Sequence, residues 1–316
     1  MDIAVTSNLR DEIRQSLKER YPKIHWHYIR SLQELDTNTA QQIEAVVTFG
    51  GDITEEAAAQ LPSLRWIQIL SAGVENLPFD ALQARHIQVT NARGIHAIPM
   101  AEFAIGLMLQ EVKQFTTLYE QQQRKEWYKK LSFGECFGKT LTVIGTGAIG
   151  TAIANLAKAL GMHVIGVNRT GGARSEFDEI VQQDRAHLAL EKSDFVVIVA
   201  PLTASTKHWF DYRMLDCMKP DSVLINLGRG ELIVEEDLIH ILKEEKIARA
   251  YLDVFQVEPL PADSPLWSLP NCVITPHVSA LTPLYVDRSV VILEDNLKKY
   301  LQQEALVNTI DLEARY

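Results

Sequence analysis

Short apolar runs alternate with amphipathic stretches along the first third of the chain. Five of these runs are rich in β-branched and aromatic residues and predict strands. They lie at residues 3–6, 24–28, 45–48, 65–69 and 87–90. A helical period at 9–20 separates the first two runs. Strands that alternate with helices in this way predict a mostly parallel sheet with helices on its faces.

The second half of the chain repeats this alternation. Six further runs predict strands at 141–144, 163–167, 195–199, 223–226, 249–254 and 272–275, a number that matches the six-stranded doubly wound sheet of dinucleotide-binding domains. Between the two blocks, a long apolar period predicts one helix from 99 to 123, which would bridge two domains or form a subunit contact. A last helical pattern, at 284–303, is too short for a third domain, so we expect it to pack on the first block.

Composition narrows the class of protein. A chain of 316 residues with 47% hydrophobic residues predicts two globular domains. The formal charge of −10 argues against nucleic-acid binding, and an anionic substrate would need a local cationic site. The three cysteines lie far apart without zinc-ligand spacing, and no apolar run is long enough for a membrane span. We therefore expect no metal and no membrane contact, and a cytosolic location.

A glycine pattern follows the first strand of the second block, in the segment Gly145-Thr146-Gly147-Ala148-Ile149-Gly150. Gly145 permits a tight turn, Gly147 lets a pyrophosphate approach the backbone, and Gly150 lets the following helix lie close to the sheet. A purely structural turn is the alternative, since the bare pattern is common. Its place between a predicted strand and a predicted helix favours a dinucleotide site.

The end of the next strand indicates which dinucleotide binds. An acidic residue there usually holds the ribose hydroxyls of NAD, but this chain has Asn168, Arg169 and Thr170. Asn168 does not repel a 2′-phosphate, and Arg169 and Thr170 offer a cationic fork and a hydroxyl. The alternative is an ordinary solvated loop. We therefore predict NADP as the cofactor, with NAD as the second possibility.

Three polar residues follow later strands of the second block, where ligands of doubly wound folds bind. Arg229 lies between two glycines and is accessible to a small anion, His277 can carry a proton near neutral pH, and Glu258 would orient the imidazole and favour its charged form. Taken singly, each has a structural interpretation: Arg229 as a loop cation, Glu258 as a turn residue and His277 as a surface histidine. Together, downstream of the glycine loop, they predict a hydride-transfer site for a hydroxy acid.

The chain also resembles the D-isomer-specific 2-hydroxyacid dehydrogenase family along nearly its whole length. The motifs that carry the resemblance are SAGVENL from Ser71, the glycine loop, PLTASTKH from Pro201, MKPDSVLINLGRG from Met218, LDVFQVEPLP from Leu252 and PNCVITPHVSA from Pro270. The resemblance implies a flavodoxin-like substrate domain, 1–98 with 284–316, into which a Rossmann-like cofactor domain, 99–283, is inserted. It also implies a homodimer.

The resemblance assigns roles to particular residues. Arg229 would bind the substrate carboxylate and carbonyl, His277 would be the acid/base, and Glu258 would pair with it. Backbone N–H groups of Ala72, Gly73 and Val74 would hold the substrate carboxylate. The implied cofactor contacts outside the glycine loop and the 168–170 turn are Pro201, Thr206 and, at the nicotinamide carboxamide, Asp253.

The substrate itself is less defined. Relatives that act on phosphoglycerate resemble one another in carrying an arginine in the loop after the third strand, whereas residues 48–52 here contain no cation. We therefore favour an unphosphorylated 2-oxo acid such as glyoxylate, hydroxypyruvate or a short 2-ketoacid, with Phe49 as an apolar wall. Two alternatives stay open: a phosphoglycerate dehydrogenase-like enzyme, and a dinucleotide-sensing corepressor with little turnover.

Overall fold

The computed structural model describes residues 1–74, 76–313 and 315. Its chain forms two compact units: unit 1 is Met1–Ile95 with Thr282–Tyr316, and unit 2 is His96–Leu281. The strands are β1 (Asp2–Val5), β2 (His25–Tyr28), β3 (Ile43–Thr48), β4 (Trp66–Ile69), β5 (Gln88–Thr90), β6 (Thr140–Ile144), β7 (His163–Asn168), β8 (Glu179–Gln182), β9 (Phe195–Ile198), β10 (Val223–Asn226), β11 (Arg249–Leu252) and β12 (Cys272–Ile274). The helices are α1 (Asp11–Arg20), α2 (Thr37–Ala40), α3 (Glu55–Ala59), α4 (Phe79–Ala84), α5 (Ala97–Lys113), α6 (Phe115–Arg124), α7 (Ala148–Ala159), α8 (Ala186–Leu190), α9 (Tyr212–Asp216), α10 (Glu235–Lys243) and α11 (Tyr285–Leu301).

Unit 1 contains a parallel sheet in the order β2-β1-β3-β4-β5, which is the flavodoxin-like order. All five strands predicted for this block are present. Successive side chains of a strand point to opposite faces of the sheet. In β3, Val46 therefore packs in one apolar layer and Val47 in the other. Such two-sided burial explains why the strands read as continuous apolar runs.

The C-terminal helix α11 belongs to unit 1. Val290, Leu293 and Leu297 pack in the apolar layer that contains Trp66. The Asn296 amide donates a buried hydrogen bond of 2.9 Å to the side-chain oxygen of Gln68. The predicted helix at 284–303 is therefore present, and both apolar and polar contacts fix it within this unit.

Unit 2 contains a parallel sheet in the order β12-β11-β10-β9-β6-β7-β8. It has seven strands among the described residues, so the predicted number of six was wrong. The missed strand is β8, which pairs with β7 at the edge of the sheet. Only the two central residues of its sequence Glu-Ile-Val-Gln are apolar and only Val181 is buried, so this strand contained too short an apolar run to be recognised.

The single helix predicted at 99–123 was also wrong, because the structure has two helices there. α5 ends and α6 begins at Gln114, whose φ of 55° places it in the left-handed region. The sequence contains neither glycine nor proline at this point, so the usual signals of a break are absent. Only α5 packs closely along α7.

The described residues were also searched for membrane spans. No helix in that part of the chain combines the length and the apolar character that crossing a bilayer requires.

Candidate active site

The glycine loop connects β6 to α7 in unit 2. Gly145 has a φ of 106°, and a Cβ there would lie 2.9 Å from the backbone of Ala200. A Cβ on Gly150 would lie 1.9 Å from the carbonyl oxygen of Gly145. These two positions require glycine for the turn and for close packing of the helix on the sheet.

The middle of the loop differs, because it faces open space. A Cβ on Gly147 would meet no atom within 4 Å, and Ala148 is exposed at the first turn of α7. Thr146 is buried and Ile149 is half-buried beside them. Gly147 is the N-cap of this twelve-residue helix and provides no side-chain cap. The N–H groups of the helix start are thus suited to a pyrophosphate.

Asn168 organises the turn at the end of β7. Its side-chain oxygen accepts hydrogen bonds from the N–H groups of Gly171 (2.7 Å) and Thr170 (3.2 Å). Its amide donates to the hydroxyl oxygen of Thr146 at 3.3 Å, which connects this turn to the glycine loop. Arg169 and Thr170 are exposed on the same turn. The three residues predicted to select the cofactor therefore lie beside the glycine loop.

The loop after β9 is held by Thr206. Its hydroxyl donates to the carbonyl oxygen of Pro201 at 2.7 Å and accepts from the N–H of Thr203 at 2.8 Å. Thr206 is buried, whereas Pro201 is exposed. In this structure Thr206 shapes the loop, and the contact of either residue with a cofactor stays a prediction.

Arg229 follows β10 in an extended conformation, with φ −141°. The Asn226 amide donates to the Arg229 carbonyl at 3.1 Å, and the Arg229 guanidinium donates to the Gly228 carbonyl at 2.9 Å. A Cβ on the next residue, Gly230, would lie 1.9 Å from the carbonyl carbon of Phe255. Glycine at this position is required for the backbone after β10 to pass close to the segment after β11.

His277 and Glu258 form the pair that the sequence predicted. The imidazole Nδ1 lies 2.7 Å from Glu258 Oε2. Glu258 Oε1 accepts from the N–H of Phe255 at 3.0 Å, which fixes the carboxylate. Both side chains remain partly accessible, 49% for His277 and 35% for Glu258. With Nδ1 occupied by the carboxylate, Nε2 is the nitrogen left to exchange a proton.

Asp253 supports the loop that carries His277. Its carboxylate accepts from the N–H groups of Val278 (3.0 Å) and Ser279 (2.9 Å) and from the hydroxyl of Thr275 (2.6 Å). The backbone N–H of His277 donates to the Asp253 carbonyl at 2.9 Å, and His277 has a φ of 54°. The side chain of Asp253 is buried. These bonds hold His277 in an uncommon backbone conformation, and the contact of Asp253 with a nicotinamide stays a prediction.

One residue near Arg229 escaped the sequence analysis. His96 precedes α5, and its burial, followed by the positive charge of Arg229, lowers the pKa of its imidazole below the ordinary value. Both effects favour the neutral form of the imidazole. A histidine just before a helix with an early proline, as in His96-Ala97-Ile98-Pro99, was the available signal.

The predicted substrate residues of unit 1 lie at the ends of β3 and β4. The carbonyl of Ala72 accepts from the Asn91 amide at 2.6 Å, that of Gly73 from the Ser71 hydroxyl at 3.1 Å, and that of Val74 from the N–H of Leu77 at 3.1 Å. The 72–74 turn is thus fixed through its carbonyl groups. Glu75, within the SAGVENL motif, lies outside the described residues.

Comparison with known proteins identifies the family that this chain is similar to. The model of the D-isomer specific 2-hydroxyacid dehydrogenase NAD binding domain matches residues 105–279. A D-3-phosphoglycerate dehydrogenase of Methanocaldococcus jannaschii is 35% identical over 84% of this chain and 51% of its own length, so the chain spans about half of that relative. A glyoxylate reductase of Thermococcus gammatolerans is 33% identical over 84% of this chain and 82% of that protein.

Solved structures agree in fold. A D-isomer specific 2-hydroxyacid dehydrogenase family protein from Aeromonas salmonicida is 33% identical with a TM-score of 0.87, covering 98% of this chain and 99% of that chain. An acyclic imino acid reductase in complex with NADPH and D-Arg is 25% identical with a TM-score of 0.81, covering 98% of this chain and all of that chain. The predicted fold class, two α/β units with a Rossmann dinucleotide-binding sheet, is confirmed. The chain belongs to the D-isomer specific 2-hydroxyacid dehydrogenase family.

Proposed function

We propose that this protein is an NADPH-dependent, D-stereospecific reductase of a small unphosphorylated 2-oxo acid. The observation that carries the proposal is the 2.7 Å pair between His277 Nδ1 and Glu258 Oε2, in the same unit as an open glycine loop at the start of α7. A proton donor and a dinucleotide cradle are the two elements that a carbonyl reduction by hydride requires.

The roles of the residues follow from their chemistry. A bound nicotinamide cofactor would supply the hydride to C2 of the substrate. Protonated His277 donates from Nε2 to the developing alkoxide, and Glu258 stabilises the imidazolium through Nδ1. The guanidinium of Arg229 binds the planar carboxylate and polarises the carbonyl. In the oxidising direction His277 takes the proton back.

Unit 1 has its own proposed carboxylate-binding segment, the turn at residues 72–74. The carbonyl groups of the 72–74 turn point into the protein, where Ser71, Asn91 and Leu77 bind them. Successive backbone N–H groups in a turn of this kind can bind an anion. We assign the N–H groups of Ala72, Gly73 and Val74 to the substrate carboxylate.

The choice of an unphosphorylated substrate rests on the loop after β3. The carboxylate of Asp52 accepts a hydrogen bond from the hydroxyl of Thr48, so the loop that contains Phe49 holds a carboxylate rather than a cation. A phosphate at this place would meet a negative charge. The glyoxylate reductase name of one relative supports the proposal, whereas the phosphoglycerate dehydrogenase name of another supports the second candidate.

A substrate panel tests the function. The oxidation of NADPH and of NADH is followed by absorbance with glyoxylate, hydroxypyruvate, 4-methyl-2-oxopentanoate and 3-phosphohydroxypyruvate. We expect turnover of unphosphorylated acids and the D product. Preference for the phosphorylated acid would favour the phosphoglycerate candidate, and tight NADPH binding with negligible turnover throughout would favour a redox-sensing corepressor.

The NADPH preference is proposed from Arg169, which is exposed on the turn that Asn168 connects to the glycine loop. The structural neighbour with bound NADPH is consistent with it. Arg169→Ala should raise the KM for NADPH about 10- to 100-fold, because a charge-assisted contact with the 2′-phosphate contributes about 1.5–3 kcal/mol. The KM for NADH should change less than about threefold, since NADH lacks that phosphate.

The matched control for this variant is Arg213→Ala, which removes an exposed arginine from α9. It should leave the KM for NADPH and the KM for NADH unchanged. Equal loss for NADH and NADPH in Arg169→Ala, or a wild-type kcat/KM that favours NADH, would contradict the NADP assignment.

We also propose a homodimer, with the segment 115–137 at the interface between two copies. Its exposed aromatic residues are Phe115, Tyr119, Trp127, Tyr128, Phe133 and Phe137. Trp127 is 91% exposed. Such a concentration of apolar surface marks an interaction site. An aromatic side chain buries about 150–250 Å² in all and these six are 51–91% exposed. Covering all six on each copy would therefore account for much of a standard interface of about 1,600 Å².

Trp127→Asp should shift the protein from dimer to monomer in sedimentation velocity at micromolar concentration, because it places a charge in the apolar centre of the interface. Leu188→Asp, at an exposed leucine of α8, is the control and should remain dimeric. A wild-type protein that sediments as a monomer would refute the proposal.

The cytosolic location of the protein stays a prediction.

A further inference from the structure

We propose that Asn91 is a positioning residue for the substrate carboxylate, and that the C-terminal segment 307–310 holds Asn91 in the orientation that this role requires. The proposal rests on the function proposed above, in which the turn at 72–74 binds the carboxylate. It adds a residue and a chain segment that act on the substrate through the backbone of that turn. All of these residues belong to unit 1.

Asn91 directly follows β5 and is 4% exposed. Its side-chain amide donates to the carbonyl oxygen of Ala72 at 2.6 Å. Its side-chain oxygen accepts from the N–H of Arg93 at 3.2 Å, so both ends of the amide are fixed. The N–H of Ala92 donates to the carbonyl oxygen of Ser71 at 2.9 Å. One side-chain bond and one backbone bond therefore join the segment after β5 to the start of the turn.

A bond to the Ala72 carbonyl also sets the direction of an N–H group. The peptide bond between Ala72 and Gly73 is planar and trans, so its C=O and N–H point in opposite directions. With the carbonyl directed at Asn91, the N–H of Gly73 is directed away from Asn91. The hydroxyl of Ser71 sets the N–H of Val74 in the same way, since it donates to the Gly73 carbonyl at 3.1 Å. Within the described part of the chain neither N–H donates a hydrogen bond, which leaves both for a carboxylate.

The C-terminal segment holds the backbone around Asn91. The carbonyl of Asn308 accepts from the N–H of Asn91 at 3.2 Å, and the Asn308 amide donates to the carbonyl oxygens of Asn91 (3.3 Å) and Arg93 (2.9 Å). Asn308 has a φ of 53°, a left-handed conformation in which asparagine is enriched. The N–H of Ile310 donates to the Val89 carbonyl at 2.8 Å. The segment thus runs antiparallel to β5 at the edge of the sheet.

A buried asparagine of α11 anchors this segment. Asn296 has no exposed surface, and its side-chain oxygen accepts from the N–H of Val307 at 2.7 Å while its amide donates to the Val307 carbonyl at 3.1 Å. A buried polar side chain costs free energy unless it is hydrogen-bonded, so these bonds favour one position of the segment. Hydrogen bonds therefore lead from α11 through Asn308 and Asn91 to the turn at 72–74.

The experiment measures steady-state kinetics of the full chain with glyoxylate and with 4-methyl-2-oxopentanoate. Asn91→Leu keeps the size of the side chain and removes its hydrogen bonds. It should raise the KM for both acids by the same factor, about tenfold, because one lost hydrogen bond is enough for such a change and both acids carry the carboxylate. The KM for NADPH should change less than about twofold, and kcat should fall less than the KM for the acids rises.

Asn308→Gly tests the C-terminal segment and keeps the fold if Asn91→Leu does not. Glycine adopts a positive φ without strain, so only the two bonds of the Asn308 amide are lost. The KM for both acids should rise about threefold. In the double variant this KM should match that of Asn91→Leu alone, since both changes act through the same contact with Ala72.

Asn271→Leu is the matched control. The Asn271 amide also donates to a backbone carbonyl, that of Leu242 at 2.9 Å, but it lies in unit 2 just before β12. The variant therefore loses a bond of the same kind away from the turn. It should lower the melting temperature, as Asn91→Leu does, and leave the KM for both acids unchanged.

The outcomes distinguish this inference from the proposed function. A folded Asn91→Leu with an unchanged KM for the acids, or with an equal rise in the KM for NADPH, overturns the positioning role and leaves the reductase function intact. Additive effects of Asn91→Leu and Asn308→Gly overturn the role of the C-terminal segment. A wild type that reduces no 2-oxo acid overturns both the function and the inference. A rise shared by both acids, and absent for NADPH and in the control, supports the positioning role.

Discussion

His277→Asn is expected to lower kcat about a thousandfold while the Kd for NADPH stays unchanged. Asparagine preserves a polar side chain of similar size but cannot donate the proton that the alkoxide needs, and general acid catalysis by a positioned side chain contributes about 10²- to 10⁴-fold. Stopped-flow turnover with the best acid of the panel measures the first quantity. Quenching of protein fluorescence by NADPH measures the second.

The chain offers a matched control in a second histidine–carboxylate pair. His240 Nε2 lies 3.1 Å from Glu244 Oε1 on the exposed face of α10. His240→Asn removes a similar pair without touching the proposed site, so kcat should not change. If His277→Asn kept its turnover within a few fold of the wild type, the acid/base assignment would be wrong.

Arg229→Lys is expected to lower kcat/KM about a hundredfold, with KM raised and kcat reduced together. Lysine keeps the positive charge but lacks the planar fork that holds a carboxylate by two parallel bonds and polarises the neighbouring carbonyl. Steady-state kinetics over a wide range of 2-oxo acid concentrations separates the two constants.

Arg213→Lys makes the same exchange at an exposed arginine of α9 and should change neither kcat nor KM. Two results would speak against a bidentate role for Arg229: constants close to wild type in Arg229→Lys, or an equal loss in the control. A circular dichroism spectrum like that of the wild type establishes that the fold is kept, since the Asn226 bond to the Arg229 backbone does not depend on the side chain.

The sequence predicted those parts of the molecule whose physics is local. Strands buried on both faces read as apolar runs, and the requirement for glycine at Gly145 and Gly150 arises from close contacts within a few residues of the chain or with the adjacent strand. Neither an apolar run nor a required glycine indicates the β8 strand or the break between α5 and α6 at Gln114. β8 depends on pairing with β7, and the left-handed residue at 114 is one that a helical period alone does not reveal.

In the candidate site too, the sequence indicated some residues, whereas the contacts between them became visible only in the structure. Arg229, Glu258 and His277 stood out because charged residues after parallel strands are chemically conspicuous. The pairing geometry of His277 and Glu258 required coordinates, as did the three bonds by which Asp253 holds the following loop. Asn308 is 217 residues from Asn91 in sequence, and only the fold brings the two together.

The packing of α11 in unit 1 has a consequence for the order in which the protein acquires its structure during synthesis. Unit 2 is one continuous segment, whereas unit 1 is made of two segments that flank it. While the ribosome completes unit 2, the first segment of unit 1 lacks Val290, Leu293 and Leu297 from its apolar layer, and the buried Gln68 lacks its Asn296 partner. One face of the unit 1 sheet therefore stays incompletely covered until residues 285–301 emerge, although all five of its strands are made first.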